Sequence, residues 1–161
     1  MAYEENGAFI RNIAEVPWRE FPNHFGGALS KPLVMPETAG SRHIDYRISM
    51  YQPMAHVARH KHKIQEQIYH VLEGEGLMEI AGKNHVVRKH DFIFLPPDIE
   101  HAISNSGLVD LVFLVITSPI TDEGRPILVA LPTAWTGACV GFRSLPALGT
   151  RHGQENCTLQ P

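Results

Sequence analysis

Four of the chain's ten histidines fall within the twenty-one residues HVARHKHKIQEQIYHVLEGEG, positions 56 to 76. His60 and His62 stand one residue apart. Successive side chains on an extended strand face opposite ways, so such a pair points to one side and can chelate one metal ion. The segment KIQE then reads as a turn, and QIYHVLEG as the next strand folding back. Gln67, at the start of that strand, brings an amide oxygen towards the same point. A fourth ligand has to come from elsewhere. The stretch HDFIFLPPDIEHAISN, residues 90 to 105, supplies it: a strand runs into Pro96-Pro97, turns, and restarts with His101.

A lone histidine is more often a satisfied surface or core residue than a ligand, and His24, His43, His85 and His152 are read that way. His56 is ambiguous. His70 falls on the opposite strand face from Gln67 and Tyr69 and should point away from the centre. Tyr69 shares the face of Gln67 and is the nearest candidate catalytic acid-base group, with an ordinary barrel aromatic as the plainer reading. Met50, Val71, Met78, Phe94 and Ile103 are expected to line the interior, giving a partly apolar pocket. Arg47 reads equally as a partner for a substrate carboxylate and as an exposed outer-face residue.

The elements that must position these residues are strands. From Ile44 onward the chain runs in short β-branched or aromatic segments divided by turn residues: IDYRISMY, QIYHVL, GLMEIAG, NHVV, DFIFLP, EHAIS and DLVFLVIT. Their length and recurrence are those of an all-β sandwich or barrel, and no sustained helical period interrupts them. Residues 1–43, with Pro17, Pro22, Pro32, Pro36 and Gly26-Gly27, read as an irregular N-terminal arm. Residues 44–117 form the barrel core, and residues 118–161 a C-terminal extension with little pattern. The 161 residues are one domain's worth of chain.

Composition narrows the partners. A formal net charge of -3 gives no reason to expect nucleic acid or an anionic membrane. Cys139 and Cys157 lack both zinc-site spacing and the density of a disulfide scaffold, which favours a reducing compartment. The first residues are acidic where a secretion signal is basic, and the longest apolar run, LVDLVFLVI, contains Asp110. A cytoplasmic location is the expectation.

The two histidine-bearing stretches resemble the paired motifs of the cupin superfamily, in which G-x5-H-x-H-x3-4-E-x6-G is followed by G-x5-P-x-G-x2-H-x3-N. His60, His62, Gly74, Pro96, His101 and Asn105 fall in register, while Met54, His90 and Asp98 stand where the pattern has glycine. The acidic ligand position holds Gln67; the neighbouring Glu66 fits only the shorter spacing, which puts Gly74 one residue out of step. With Gln67, the chain is similar to small cupins that bind metal through three histidines and a glutamine. The resemblance implies a small jelly-roll barrel, one divalent transition-metal ion (Fe, Mn, Ni, Co or Zn), and a homodimer in which the N-terminal arm crosses to the neighbour. Glutamine in place of glutamate leaves the ion its full charge, making a harder Lewis acid that favours anionic or enolisable substrates.

What the resemblance implies for function is a metal-dependent enzyme acting on a small oxygen-rich organic molecule. Dioxygenase chemistry is favoured because an open, nitrogen-rich site can bind substrate and O₂ side by side. Non-redox isomerase or lyase chemistry is the alternative, and a non-catalytic cupin that binds metal and a small ligand is a third reading.

Overall fold

The computed structural model describes residues 3–122. In chain order the elements are β1 (Tyr3–Glu5), β2 (Ala8–Ile10), a 3-10 turn (Ile13–Glu15), β3 (Arg19–Glu20), β4 (His24–Phe25), β5 (Ala28–Val34) and the single helical turn α1 (Pro36–Ala39). They continue with β6 (Asp45–Tyr51), β7 (His56–Val57), β8 (Glu66–Glu73), β9 (Glu75–Ile80), β10 (Lys83–Arg88), β11 (Phe92–Leu95), β12 (His101–Asn105) and β13 (Leu111–Ser118). Each of the seven segments read as strands from the sequence is a strand here. The extension expected over 118–161 lies almost wholly outside the described residues.

Two antiparallel sheets carry the barrel, in the orders β10-β9-β12-β7-β4 and β11-β8-β13-β6-β5-β3; β1 and β2 make a separate hairpin. This is the all-β architecture that the strand pattern called for, in the jelly-roll form that the resemblance implied. Alternate residues of β13, namely Leu111, Phe113, Val115 and Thr117, are buried, as are Gln67, Tyr69 and Val71 of β8. Cross-strand register aligns these residues into rungs: Gln67–Thr117–Asp45, Tyr69–Val115–Arg47 and Val71–Phe113–Ser49–Ser30. The inner face therefore grades from apolar at one end to polar at the other. That gradient places the site.

The arm expected over residues 1–43 is more than an arm. β3, β4 and β5 join the two main sheets, and β5 pairs along β6 from Ala28 opposite Tyr51 to Val34 opposite Tyr46. The pairing is hidden in the sequence because the inward residues of β5 are Ala28, Ser30 and Pro32, which show no apolar alternation. The bulge between Pro32 and Val34 marks where proline, lacking an N–H, disturbs the ladder.

Interior lining also needs correction. Val71, Met78 and Ile103 are fully buried, but Phe94 is 52% exposed and Met50 only half-buried. On β11 the inward positions belong to Ile93 and Leu95, so both phenylalanines, Phe92 and Phe94, turn outward. On β6 the inward set is Asp45, Arg47, Ser49 and Tyr51. Aromatic bulk suggested the interior, whereas strand phase decided the direction.

The three residues that replace pattern glycines keep the backbone a glycine would adopt: φ is 71° at Met54, 76° at His90 and 63° at Asp98. Each such side chain costs about 1 kcal/mol or more. The surrounding hydrogen bonds hold the turns in place. Met54 N donates to Asn105 O at 3.1 Å, His90 N to Val71 O at 2.9 Å, and Asp98 N to His62 O at 2.6 Å. The last bond ties the Pro96-Pro97-Asp98 turn directly to the backbone of a candidate ligand.

Among the described residues, no helix is long and apolar enough to cross a membrane.

Candidate metal centre

His101 opens β12, and its backbone exchanges two hydrogen bonds with that of His60: His60 N to His101 O at 3.0 Å and His101 N to His60 O at 2.8 Å. His60 and His62 thus lie not on a regular strand, as expected, but in an extended segment stitched to β12 by one isolated bridge and to the following turn by the Asp98–His62 bond. The outcome for the side chains is the same. One ring nitrogen from each of His60, His62 and His101 lies within 4.8 Å of the other two. The ring centroids are 5.1 Å (60–62), 4.3 Å (60–101) and 5.7 Å (62–101) apart.

The rings are also oriented. The Nδ1 of His60 donates to Ala58 O at 2.8 Å and that of His101 to Ile99 O at 2.9 Å, which leaves each Nε2 with a free lone pair. These carbonyls are the outer partners that sequence cannot name, since each belongs to local backbone two residues back. The Nε2 atoms of His62 and His101 are buried and meet no hydrogen-bond partner among the described residues. Buried polar atoms normally find partners, and two orphan nitrogens aimed at one point are the arrangement that a cation satisfies. The donor set fits a divalent transition metal.

On β8, Glu66 is exposed and Gln67 is buried, so only Gln67 faces the interior. Its Nε2 donates to Thr117 Oγ1 at 3.1 Å, and its Oε1 accepts from the Tyr69 hydroxyl at 3.4 Å. Burial pushes the Tyr69 phenol well above its usual range, so this group stays protonated and donates. In this geometry Tyr69 positions Gln67 instead of offering a base.

Residues 47–117 match the cupin domain. The barrel aligns with the crystal structure of a predicted oxalate decarboxylase from Thermotoga maritima, with a TM-score of 0.63 and 25% identity over 68% of this chain and 98% of that one. Residues 47–117 form a cupin domain.

Among curated relatives, an uncharacterized protein of Methanocaldococcus jannaschii is 43% identical over 70 residues, and an oxalate-binding protein of Thermotoga maritima is 36% identical over 64. These matches take in 43% and 40% of the cupin described here and about half of each relative, 56% and 53%.

His60 and His62 of the cupin's histidine cluster line a cavity of about 260 Å³. Its walls also include His24, Arg47, the polar rung residues, the rings of Tyr51, Tyr69 and Phe113, and the apolar Val57 and Val115. Arg47 thus faces the interior, its guanidinium 4.4 Å from the Phe21 ring centroid. Its Nε donates to Asp45 Oδ1 at 2.7 Å and its Nη2 to Asp45 Oδ2. Ser30 and Ser49 share a buried hydrogen bond of 2.8 Å on the same wall. His70 does not line the cavity, and His56 packs outward against Phe25 at 5.3 Å between centroids. Asn105, in register with the second motif, is structural: its amide nitrogen donates to Tyr51 O and Val109 O, and its oxygen accepts from Gly107 N. His24, set aside as a bystander, lies in the cavity because β4 pairs with β7. No local signal announces it.

Burial pushes His101 down to about 4 from an ordinary 6.5, helped by its neighbours His60 and His62 and opposed by the Ile99 carbonyl. Burial lowers His62 as well. The fold thus disfavours the charged rings, so below pH 6.5 the unfolded chain binds more protons than the folded one, and stability falls with pH. For metal-free protein, His101 alone is expected to contribute a loss of about 3 kcal/mol between pH 6.5 and 4. Urea midpoints measured in chelator across that window will show the decline, and His101→Gln will flatten it. An unchanged slope in that variant would assign the acid sensitivity elsewhere.

Proposed function

We propose that this cupin is a metal-dependent enzyme that acts on a small, oxygen-rich carboxylic acid by non-redox chemistry, such as decarboxylation or isomerisation. The observation carrying this reading is that His60 and His62, two of the three clustered histidines, share a cavity of about 260 Å³ with an arginine and a wall of hydroxyl and amide groups. A cavity of that size is at or below the small end of ligand sites, which suits an acid of few carbons. His60, His62 and His101 would hold the ion, with Gln67 as a further oxygen ligand. When bound, the ion polarises a substrate oxygen as a Lewis acid.

The chain's own residues do the rest. Two of the five N–H donors of Arg47 are taken by Asp45, and those remaining suit a substrate carboxylate. Asp45 and the Phe21 ring hold the guanidinium in one orientation. The hydroxyls of Ser30, Ser49 and Thr117 offer rotatable partners for further oxygens. Tyr69, by donating to Gln67, keeps that amide's oxygen lone pairs in place. The likeness to an oxalate-binding protein and to a predicted oxalate decarboxylase supports a small dicarboxylate or keto acid as the substrate class.

The test begins with elemental analysis of untagged protein, followed by oxalate, keto acids, diketones, catechols and flavonols, each with an oxygen electrode. Turnover without oxygen consumption supports the proposal. Oxygen uptake coupled to substrate loss would establish the dioxygenase reading instead, which the nitrogen-rich donor set favours. Full-affinity binding by metal-free protein would point to a ligand-holding module. Arg47→Lys keeps the charge but loses the planar fork. The apparent KM for the carboxylic acid is expected to rise about tenfold, with metal content unchanged.

A further inference from the structure

The cavity contains a fourth imidazole that the ligand cluster does not use. His24 sits on β4 opposite Val57 of β7, with the buried Val57 beside it on the inner face. It lines the same cavity as His60 and His62 but lies outside the cluster of mutually close ring nitrogens. Its Nδ1 is 2.9 Å from the Pro22 carbonyl, which can only accept, so the N–H is on Nδ1 and the neutral ring carries its lone pair on Nε2. No described residue is hydrogen-bonded to that Nε2. Phe21 and Tyr51 hold the ring at centroid distances of 6.2 and 6.0 Å, the latter edge-on at 87°.

We propose that His24 is the proton-transfer residue of this cavity, accepting a proton at Nε2 from a substrate C–H group adjacent to a carbonyl and returning it to the same substrate. This rests on the reading of the cavity as a metal-dependent active site. In the forward step the C–H bond breaks and its electron pair becomes the C=C bond of an enolate. The carbonyl π pair moves onto oxygen, and the proton resides on Nε2 while Nδ1–H still donates to Pro22. Return of the proton to a carbon or oxygen of the enolate restores the neutral ring, with no other reactant consumed.

The other candidates in the cavity are committed elsewhere. Tyr69 is held protonated and donates to Gln67. Burial likewise holds the Tyr51 phenol protonated. Asp45 is paired with Arg47. Burial, and then the nearby Arg47 and His60, favour the neutral form of His24, outweighing the Pro22 carbonyl and Glu20. The ring is therefore ready to accept a proton near neutrality, which is what a general base requires.

The test uses full-length, zinc-loaded protein and pyruvate as an enolisable probe, with exchange of its methyl protons for deuterium followed by NMR. Wild-type protein is expected to accelerate exchange, and His24→Asn and His24→Gln to lose about a hundredfold of it, with zinc content and thermal midpoint close to wild type. An independent readout is the ¹⁵N shift of His24 Nε2 in wild-type protein: it should be that of an unprotonated imidazole nitrogen at pH 7 and should move when oxalate is added. A protonated Nε2, one unmoved by oxalate, or zinc-retaining variants that exchange at the wild-type rate would overturn the role of His24 alone. Zinc-retaining wild-type protein with no exchange above the buffer rate would also overturn it. A wild-type chain that takes up no divalent metal would overturn both this role and the function proposed above.

Discussion

His101→Ala is expected to strip the protein of its metal. Divalent metal should fall from about one equivalent per chain to a small fraction of that, corresponding to an affinity loss of about 10²–10³-fold. A closed four-ligand zinc site is worth about 10–16 kcal/mol in all, so one ligand carries roughly 3 kcal/mol. His101 is the most buried of the three, at 2% exposure, and its Nε2 has no other partner. Neither His60 nor His62 can replace it, because each is held by its own segment. The loss should also be visible as stability. Metal at about a thousand times its dissociation constant stabilises the fold by about 4 kcal/mol, which in a domain of this size raises the melting midpoint by roughly 10–20 °C. Chelator should abolish that increment in wild type and do nothing to His101→Ala. In chelator the two should differ by no more than about 2 kcal/mol, since the lost packing is offset by removal of an orphaned buried nitrogen. Undiminished metal content in the variant would dismantle the proposed centre.

Gly74→Ala is expected to cost about 4 kcal/mol, a large part of the stability of a domain of this size. Gly74 joins β8 to β9 at φ 80°, and an added Cβ would collide with the Asp110 carbonyl oxygen and lie 2.9 Å from Leu111 Cα. Those atoms are backbone at the start of β13, which is paired on both sides, with β6 and with β8. Nothing there can yield cheaply. Gly82 supplies the control: its φ is 77°, but an added Cβ meets nothing within 4 Å. Gly82→Ala should therefore report backbone strain alone, about 1–2 kcal/mol, and the remainder at Gly74 is steric overpacking. Urea midpoints of the two variants measure the difference. Equal losses would mean that the β8–β9 corner relaxes around the methyl group.

Much of the barrel is legible from residues 44 to 118, because inward and outward residues alternate with period 2 and Gly, Pro and Asp punctuate the ends. The spacing of His60, His62 and His101 is legible for the same reason: a short extended segment and a turn of fixed length leave few places for the rings to go. Glu66 and Gln67 illustrate the limit of such reasoning. Motif spacing favours Gln67 only through its register with Gly74, and it is the phase of β8 that turns Gln67 and not Glu66 inward. The motif departures at Met54, His90 and Asp98 look damaging on paper, yet each keeps its positive φ because long-range backbone hydrogen bonds over-determine the turn.

The sequence by itself determined the seven strands from Ile44 onward and the local geometry that sends two histidines from one segment and a third from another towards a common point. Tertiary structure alone decided which surfaces became the walls. β4 and β5, carrying His24 and Ser30, enter the barrel by pairing with strands far along the chain, and Arg47 faces the cavity beside Asp45 instead of solvent. The physical reason is range. Side-chain direction follows from neighbours one and two residues away, whereas the company a side chain keeps follows from pairings across the sheets, which short polar segments such as NHF and ALSKP do not advertise.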